Sequence, residues 1–498
     1  MPNESPVTDR MRTAVANPIT TDADFDPYAE LDDILSGLGM SASDSGGRIE
    51  FRGADPVVPS VLRLGGAAAI ALVAKSVAVA KLWRDRSGRG QDISMDLRVA
   101  PHRLSPFYDR KWELLGGYPA YPTSTPSVAL SFMFHRTADD RFVMPLNSYP
   151  KLRVAAQTLL DVSDEPGAVA QAVATWKGRE LEEAAASIGA VIPMVRSVEE
   201  FLDEPQCTDY LADAPLVEVT KIVDSEPVPL PSGVDTPLSG IRALGMGHVI
   251  AGPGAGRALA LHGADVLNLW RPDQLEHDNL YISANVGLRS AWLDPRQPQG
   301  KDRLRELLVN ADVFFANRRP GYLDRIGLSA EQAADIRPGI VHATVSLAGQ
   351  SGPWAHWSGF DQAAGCLAGV MNLEGGGSLP GIPPIFVVND YIVSWLLTLG
   401  IIEALRRRAR EGGSYRVHVS LTRVAMWIIG LGVFDKRYAA SISGSREENT
   451  YLDPETFTAM TPLGRYQGVT EQVTLSETPG DYRHVLLPRG SCEPEWSA

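Results

Sequence analysis

At 498 residues, the chain is longer than one hydrophobic core usually supports, so two or more domains are expected. Its formal net charge of −14 argues against a general nucleic-acid-binding protein, which would carry a basic face. The three widely spaced cysteines follow neither a disulfide framework nor a metal-ligand spacing, which favours a reducing cytoplasm and predicts no bound metal.

The N-terminal residues 1–48 are polar and acidic, and they lack the apolar stretch of a signal peptide. We therefore predict a flexible leader in this region. The longest apolar run follows at residues 64–83, LGGAAAIALVAKSVAVAKLW. Because alanine dominates this run and Lys75 interrupts it, we predict a buried helix rather than a membrane span, and no membrane partner.

Two predicted helices, at residues 66–83 and 391–409, are each followed by a basic end, a glycine turn and an alternating strand. Gly88 and Gly412 occupy the two turns, 324 positions apart (412 − 88). A basic last turn followed by glycine is typical of a helix C-terminus. We predict a partial internal duplication, in which residues 49–105 are a truncated copy of the later helix, turn and strand.

The rest of the chain divides into regions of different pattern. Residues 106–225 contain short strand-like and helical pieces and predict a small α/β domain, which a proline-spaced linker at 226–235 follows. Residues 236–435 alternate strand and helix, which predicts a doubly wound, Rossmann-like parallel sheet. Residues 436–498 are predicted to be a C-terminal tail. The predicted fold class is thus α/β, with a large parallel sheet and a second, smaller α/β domain.

One carboxylate, Asp390, lies between an extended apolar run and the apolar start of a helix in PPIFVVNDYIVSW. An ionised carboxylate is costly to desolvate unless it is paired or hydrogen-bonded. Asp390 is therefore either a helix cap or a nucleophile. The repeat places Gly66 at the corresponding position (390 − 324), so the scaffold does not require a carboxylate there. This comparison favours a special role for Asp390.

Three other stretches carry candidate ligand-binding residues. GMGHVIAGPGAGR is a glycine-rich turn that enters a helix, where backbone N–H groups bind phosphates. Its glycine spacing, and the absence of an acid at the end of the next strand, argue against a nicotinamide dehydrogenase. Arg271 at that strand end is either a phosphate ligand or a solvated arginine, and the same choice holds for the arginines that follow Asn317. Asp361 is either an N-cap or a site carboxylate.

Four blocks of sequence resemble type III (CaiB/BaiF) CoA-transferases and occur in the order found there. The family includes formyl-CoA transferase, carnitine CoA-transferase and α-methylacyl-CoA racemase. The blocks are SGIRALGMGHVIAGPGAGRALALHGADVLNLWRP, NADVFFANRRPGYLDRIGLS, AGQSGPWAHWSGFDQAAGCLAGVMNLEG and VVNDYIVSW. The segments SGRGQDISMDL, VRSVEEFLDEPQC and LSETPGDYR are also similar to parts of the family. The domain order is unusual, because a truncated copy of the signature precedes the small domain.

The resemblance implies roles for particular residues. Asp390 matches the catalytic aspartate that attacks an acyl-CoA thioester, and Asp361 matches an acidic neighbour. The CoA-contacting positions implied are Val249, Ile250, Ala251, Arg271, Arg289, Asn317, Arg325 and Phe360. The sequence departs from the family pattern at Trp270, which replaces an acid, and at Leu288, which replaces a lysine.

The resemblance also implies a function. It implies a CoA-transferase that moves CoA from an acyl-CoA to a carboxylic acid through covalent aspartyl intermediates, with no permanently bound cofactor and with coenzyme A or acyl-CoA as substrate. A homodimer is implied as well. Two alternatives remain open. A racemase or epimerase needs a base on each face of the substrate, and Phe360 cannot carry a proton. A non-catalytic homologue would bind CoA without reacting.

Overall fold

The computed structural model describes residues 6–21, 25–120 and 130–497. The start of the predicted leader, its residues 22–24 and the last residue of the predicted tail lie outside this range. The strands, in chain order, are β1 Gly46–Arg52, β2 Gln91–Asp96, β3 Leu114–Leu115, β4 Tyr118–Pro119, β5 His135–Arg136, β6 Phe142–Val143, β7 Glu218–Val223, β8 Arg242–Met246, β9 Asp265–Trp270, β10 Arg289–Trp292, β11 Val313–Ala316, β12 Val341–Ser346, β13 Ser414–Ser420, β14 Thr456–Thr461, β15 Gly464–Val469 and β16 Val473–Leu475.

The helices complete the description of the regular elements. They are α1 Pro6–Ala16, α2 Pro27–Ser36, α3 Leu64–Ser87, α4 Pro150–Leu160, α5 Pro166–Val173, α6 Gly178–Ser187, α7 Val198–Leu202, α8 Ala251–Leu261, α9 Asp278–Ala284, α10 Pro298–Val309, α11 Tyr322–Ile326, α12 Ala330–Ile336, α13 Asp361–Ala368, α14 Val370–Gly375, α15 Asp390–Glu411, α16 Leu421–Gly430 and α17 Lys436–Ile442. Strand and helix alternate from β8 to β13, as the sequence pattern predicts.

The largest sheet has the strand order β10-β9-β8-β11-β12-β13-β7. The first six strands are parallel, and β7 is antiparallel to β13 at the edge. The predicted large parallel sheet is therefore confirmed. The chain reverses its direction of travel across the sheet between β8 and β11. In open parallel sheets, ligands bind beyond the carboxyl ends of the strands at such a reversal.

Both faces of this sheet are covered, which explains why its central strands are apolar throughout. In β11, Phe315 faces a core that α8 and α15 share, whereas Phe314 faces a second core formed with α10 and α12. Both phenylalanines are fully buried. The two helix layers hold the carboxyl ends of the strands in a fixed arrangement, on which a binding site can be built.

The long helices α3 and α15 lie side by side in the main core. By length and composition alone, α3 is apolar enough to cross a membrane, but 94% of its apolar window is buried within the protein. The prediction of a buried helix at residues 64–83 is confirmed. Gly88 and Gly412 follow the two helices with φ of 76° and 66°, and their N–H groups bond the carbonyls of Arg84 and Arg408.

Two smaller sheets join segments that are far apart in the sequence. One has the order β1-β2-β16, with β1 parallel and β16 antiparallel to β2. The other, β14-β15-β3-β4, pairs strands from the predicted tail with strands from the predicted small domain. Residues 456–475 are thus part of the folded body. A separate small core lies among β6, α4, α5 and α6.

The prediction of a flexible leader is wrong for residues 6–21 and 25–48. Helix α1 packs against α16, and α2 packs against α3. Met11, Leu31 and Leu35 are completely buried. The reason is that a few apolar residues at helical spacing suffice to seat a short helix on a core that already exists, although the stretch as a whole is polar.

Replacing Met11 by alanine should lower the free energy of unfolding by roughly 2–4 kcal/mol, because a buried methionine leaves a cavity when truncated. Chemical denaturation of the purified chain measures this value. Val154→Ala is the matched control, since Val154 is 62% exposed on α4 and should change stability by less than about 0.5 kcal/mol. Equal, small effects of both substitutions would show that α1 does not dock.

Candidate active site

Asp390 is the first residue of α15, and it lines a cavity of about 790 Å³. Its position is set by close packing of α15 on α8. The Ser394 hydroxyl donates hydrogen bonds to the carbonyls of Ala251 (2.9 Å) and Asp390 (2.8 Å). A Cβ on Gly254 would lie only 2.5 Å from the Ser394 oxygen, so this approach requires glycine. The start of α15 is thereby tied to the start of α8.

Asp361 caps the helix that carries Asp390. Its Oδ2 accepts backbone hydrogen bonds from Val388 (3.0 Å), Asn389 and Asp390 (3.0 Å). These donors are among the N–H groups that a helix start leaves without a partner inside the helix. Asp361 itself is 3% exposed and does not line the cavity. Asp361 is not the N-cap of its own helix α13, where Phe360 holds that position, and its side chain caps α15 instead. Asp361 is a positioning residue for Asp390.

The two carboxyl groups differ in their electrostatic surroundings. Burial raises the pKa of Asp361 to about 6, while its three backbone N–H donors oppose that rise. Burial, and then the negative charge of Asp361, raise the pKa of Asp390 well above its usual range. Since hydrogen bonds to the charged form favour that form, Asp361 is the better site for the negative charge. Asp390 therefore holds a proton more tightly than an ordinary aspartate.

The cavity lies at the carboxyl ends of β8, β9, β11 and β12. The predicted site residues that line it are Val249, Ala251, Arg271, Asn317, Arg325, Phe360 and Asp390. Ile250 does not line it, because its side chain is 1% exposed and packs in the main core. Sequence reasoning thus placed most of its candidate residues around one cavity.

Arg289 does not reach this cavity, which corrects its prediction as a CoA contact. It begins β10, and it pairs with Asp265 at the start of the neighbouring strand (3.0 Å). Its Nη1 also donates to the Glu495 carbonyl (2.8 Å). The amino ends of parallel strands lie at the sheet edge opposite the carboxyl ends. The side chain of Arg289 is therefore at the wrong end of the sheet.

The turn before α8 forms the floor of the cavity. Val249 has a φ of 62°, which is costly for a β-branched residue and persists only where neighbouring groups hold it. Its N–H donates to Glu276 Oε2 (2.7 Å). Asn317 holds the residue before it, because the His248 N–H donates to Asn317 Oδ1 (2.8 Å) and Asn317 Nδ2 donates to the His248 carbonyl (2.6 Å).

One end of the cavity is cationic. Arg271, Arg318, Arg319 and Arg325 line it. Arg271 pairs with Asp273 (3.1 Å), but neither Nε nor Nη2 of Arg318 has a hydrogen-bond partner among the described residues. Burial lowers the pKa of Arg318 to about 10, so it stays charged at neutral pH. Arg318 is half-buried, and a guanidinium group with two buried nitrogens that lack partners is suited to an anionic ligand such as a phosphate.

Aromatic side chains enclose another part of the cavity. Phe360 stacks on Tyr149, with ring centroids 5.9 Å apart and planes inclined by 8°. Trp357 also lines the cavity and stacks on Trp354 at 5.0 Å. Tyr149 was not predicted, because it precedes α4, far from the other site residues in the sequence. No local signal in NSYP identifies it.

His248 is a second residue that the sequence reasoning did not assign to the site. It lines the cavity, and its Nε2 lies 2.9 Å from the Leu275 carbonyl. Burial lowers its pKa, so the imidazole is neutral at pH 7. Among the described residues, no group of three or more His, Cys, Asp or Glu side chains could hold a metal ion.

Replacing Arg318 by alanine should weaken CoA binding about tenfold, because a charged hydrogen bond to a phosphate is lost. Isothermal titration with CoA measures the change. Arg289→Ala is the matched control and should leave the CoA affinity within about twofold of the unaltered chain, since its partners are Asp265 and the Glu495 carbonyl. A larger loss in Arg289→Ala than in Arg318→Ala would contradict the placement of the cavity.

The parallel sheet and the cavity at its carboxyl ends define an α/β protein with a site for an anionic ligand. Residues 238–463 match the family model described as CoA-transferase family III. This match covers less than half of the chain, and it confirms the resemblance found in the sequence.

Several curated proteins are similar to this chain. Acetyl-coenzyme A transferase nodX of Hypoxylon pulicicidum is 30% identical over 246 residues, which are 46% of this chain and 41% of the relative. The succinyl-CoA–L-malate CoA-transferase alpha subunit of Chloroflexus aurantiacus is 31% identical over 39% of this chain and 48% of the relative. Formyl-CoA:oxalate CoA-transferase of Streptomyces avermitilis is 31% identical over 41% of this chain and 52% of the relative. The chain spans about half the length of the curated relatives it matches.

Solved structures with partial similarity come from two bacteria. A CAIB/BAIF family protein from Brucella suis is 24% identical, with 47% of this chain and 65% of that chain covered and a TM-score of 0.36. The orthorhombic form of Rv3272 from Mycobacterium tuberculosis is 26% identical, with 39% of this chain and 57% of that chain covered and a TM-score of 0.35.

Proposed function

We propose that the chain is an acyl-CoA:carboxylate CoA-transferase in which Asp390 is the covalent nucleophile. The observation that carries this proposal is a buried carboxylate at the start of α15, in a cavity with a cationic end. Nucleophilic catalysis by a carboxylate divides one difficult acyl transfer into easier steps. The match of residues 238–463 to CoA-transferase family III supports the reaction class.

In the proposed reaction, the Asp390 carboxylate attacks the thioester carbonyl, the CoA thiolate leaves, and a mixed anhydride forms. The thiolate then attacks the aspartyl carbonyl, which releases the donor acid and leaves an aspartyl-CoA thioester. The acceptor carboxylate attacks that thioester, expels the thiolate and forms a second anhydride. The thiolate finally attacks the acceptor carbonyl, which gives the new acyl-CoA and regenerates Asp390. The thioester is conserved overall, so the reaction needs no ATP.

The chain's own residues support these steps in three ways. Arg318, whose Nε and Nη2 lack a partner among the described residues, and its neighbouring arginines attract the phosphates of CoA and orient its thiol end toward α15. The positive end of the α15 dipole stabilises negative charge that develops on the attacked carbonyl. The apolar flanks Val387 and Val388 are buried and help to exclude water from Asp390.

The test of this proposal is to trap the intermediate on its residue. Hydroxylamine should cleave an aspartyl anhydride or thioester during turnover and leave a hydroxamate on Asp390, which peptide mass spectrometry detects. The panel should pair acetyl-CoA or succinyl-CoA with oxalate, malate or acetate. Transfer activity with no mark on Asp390, or with a mark on another residue, would refute the assignment.

A racemase or epimerase remains a second candidate, because His248 lines the same cavity as Asp390. Such an enzyme would exchange the proton on the carbon next to the thioester. Incubation of 2-methylacyl-CoA in D₂O distinguishes the two functions. Deuterium uptake without transfer favours the proton-moving enzyme, and CoA binding with neither reaction favours a non-catalytic homologue.

We also propose that residues 236–435 form a Rossmann-like unit and that residues 49–105 are a partial duplicate of it. Two observations support the duplication. The order β1-β2-β16 has the same strand directions as β12-β13-β7. Asp55 accepts the N–H groups of Gly65 (3.0 Å) and Gly66 (2.6 Å) at the start of α3, as Asp361 does at α15.

The duplicate lacks a nucleophile, because Gly66 stands where the second copy has Asp390. A Cβ on Gly66 would lie 3.1 Å from the Phe25 ring, so that space is filled. We therefore propose one active centre per chain. The proposed substrates are a small-molecule acyl-CoA and a carboxylic acid, and the proposed location is the cytoplasm. We propose a homodimer, for which light scattering should give twice the chain mass of 53.8 kDa.

A further inference from the structure

We propose that Tyr149 and Glu276 form a latch that closes the cavity over Asp390 and limits hydrolysis of the aspartyl intermediates. The name Tyr149–Glu276 latch is used for these two residues and the hydrogen bond between them. The inference rests on the proposed CoA transfer, and it adds two positioning residues to that reaction. Neither residue was a predicted site residue.

Glu276 joins segments that lie far apart in the sequence. Its Oε2 accepts the N–H of Val249 (2.7 Å), and its Oε1 accepts the hydroxyl of Tyr149 (2.8 Å) and the N–H of His277 (3.0 Å). The side chain is 1% exposed. Both oxygens thus serve only as acceptors, as an ionised carboxylate does. Glutamine could replace one acceptor, but its amide group would then face a donor.

The bond to Val249 holds the strained turn at the floor of the cavity. A β-branched residue with a φ of 62° relaxes unless its surroundings fix it. The Glu276 carboxylate provides the hydrogen bond that the Val249 N–H makes in this conformation. Helix α8 begins at Ala251, two residues after Val249. The position of the turn therefore sets the position of the N-terminal end of α8 at the cavity.

Tyr149 provides the opposite wall. It directly precedes α4, which belongs to the separate small core, and it reaches across to the large sheet. Its ring stacks on Phe360 and contacts the rings of His248 (5.1 Å) and His277 (4.8 Å). Burial, and then the negative charge of Glu276, raise the pKa of Tyr149, so the phenol remains a hydrogen-bond donor to Glu276.

The consequence of the latch concerns water. Water that reaches an anhydride on Asp390 adds to its carbonyl and breaks the bond to the bridging oxygen. The products are the free acid and the regenerated Asp390 carboxyl group, the water supplies one oxygen and the two protons of these groups, and the thioester energy is lost. A closed aromatic wall reduces this side reaction, because it excludes water from the site. The latch should therefore change the ratio of hydrolysis to transfer more than it changes folding.

The experiment compares Tyr149→Phe and Glu276→Gln with matched controls. Tyr466 and Glu113 form a similar buried hydroxyl–carboxylate bond (3.3 Å), and neither lines the cavity. Tyr466→Phe and Glu113→Gln are therefore the controls. The ratio is measured as free CoA released against acetyl-CoA formed, by chromatography, with succinyl-CoA as donor and acetate as acceptor, because transfer alone leaves no net free CoA. Thermal unfolding establishes that each variant is folded.

Tyr149→Phe should raise the ratio of hydrolysis to transfer about fivefold, the usual effect of one hydrogen bond. Glu276→Gln should raise it further, because it also releases the Val249 turn. An unchanged ratio in both variants, or an equal rise in Tyr466→Phe, would overturn the latch.

A binding measurement separates the latch from the proposed function. In the Asp390→Asn background, which cannot react, Glu276→Gln should weaken CoA binding about fivefold, whereas Glu113→Gln should not. If the unaltered chain transfers nothing, the proposed function fails, and this measurement still decides the latch. Equal CoA affinities in the two glutamine variants would overturn it.

Discussion

Replacing Asp390 by asparagine should lower the rate of CoA transfer by at least about 10³-fold, because an amide cannot attack a thioester as a carboxylate does. CoA affinity should stay within about twofold of the unaltered chain, since the cationic end of the cavity is untouched. Chromatography of the acyl-CoA products gives the rate, and isothermal titration gives the affinity. The two measurements together separate a catalytic role from a binding role.

Asp55→Asn is the matched control for this substitution. Asp55 is also an aspartate at a helix start, half-buried, and it accepts the N–H groups of Gly65 and Gly66. Because Gly66 occupies the nucleophile position in this copy, Asp55→Asn should leave the transfer rate within about threefold of the unaltered chain. An Asp390→Asn variant that keeps a tenth of the activity would exclude the covalent mechanism.

The substitution Asp390→Asn should also stabilise the protein at neutral pH. The pKa of Asp390 is raised in the folded state, so the folded chain binds this proton more tightly than the unfolded chain. Stability therefore falls as pH rises from about 4, the usual aspartate value, through the raised pKa. Asparagine does not have this cost. Urea unfolding should show a gain of roughly 0.5–2 kcal/mol at pH 8 and none below pH 4.

The site shows which features a sequence can reveal and which it cannot. Asp390 was predictable, because a lone carboxylate between apolar segments needs a reason to be there. Arg289 was wrongly placed in the site. Sequence resemblance does not show that Arg289 begins its strand, away from the carboxyl ends where the cavity lies. Tyr149 and Glu276 carry no local signal. Their hydrogen bond exists only because the fold brings together residues 127 positions apart.

The fold likewise has parts that the local sequence predicts and parts that depend on distant segments. Alternation of strand and helix predicted the parallel sheet, because short apolar runs that alternate with helical segments are a local signal of parallel strands. The docking of α1 and α2 was missed. Their apolar residues, such as Met11 and Leu31, are few, and their burial depends on α16 and α3, which are distant in the sequence. Tertiary partners decide the structure of such short segments.

Replacing Asp361 by asparagine should shift the pH dependence of transfer toward acid. Transfer requires ionised Asp390, so the rate rises with pH through the raised pKa of that group. The negative charge of Asp361 contributes to the rise in pKa, after burial. Without that charge, Asp390 ionises at lower pH. The midpoint of the acid limb, measured from kcat between pH 5 and 9, should therefore move to a lower value.

The same variant should be less stable by roughly 1–3 kcal/mol at pH 8, because a neutral amide oxygen is a weaker acceptor for the backbone N–H groups of Val388, Asn389 and Asp390. Asp273→Asn is the control, since Asp273 lines the same cavity but pairs with Arg271 at its cationic end. Its acid limb should stay in place. If the limb also stays in place in Asp361→Asn, then Asp361 does not tune Asp390, and its role is limited to capping α15.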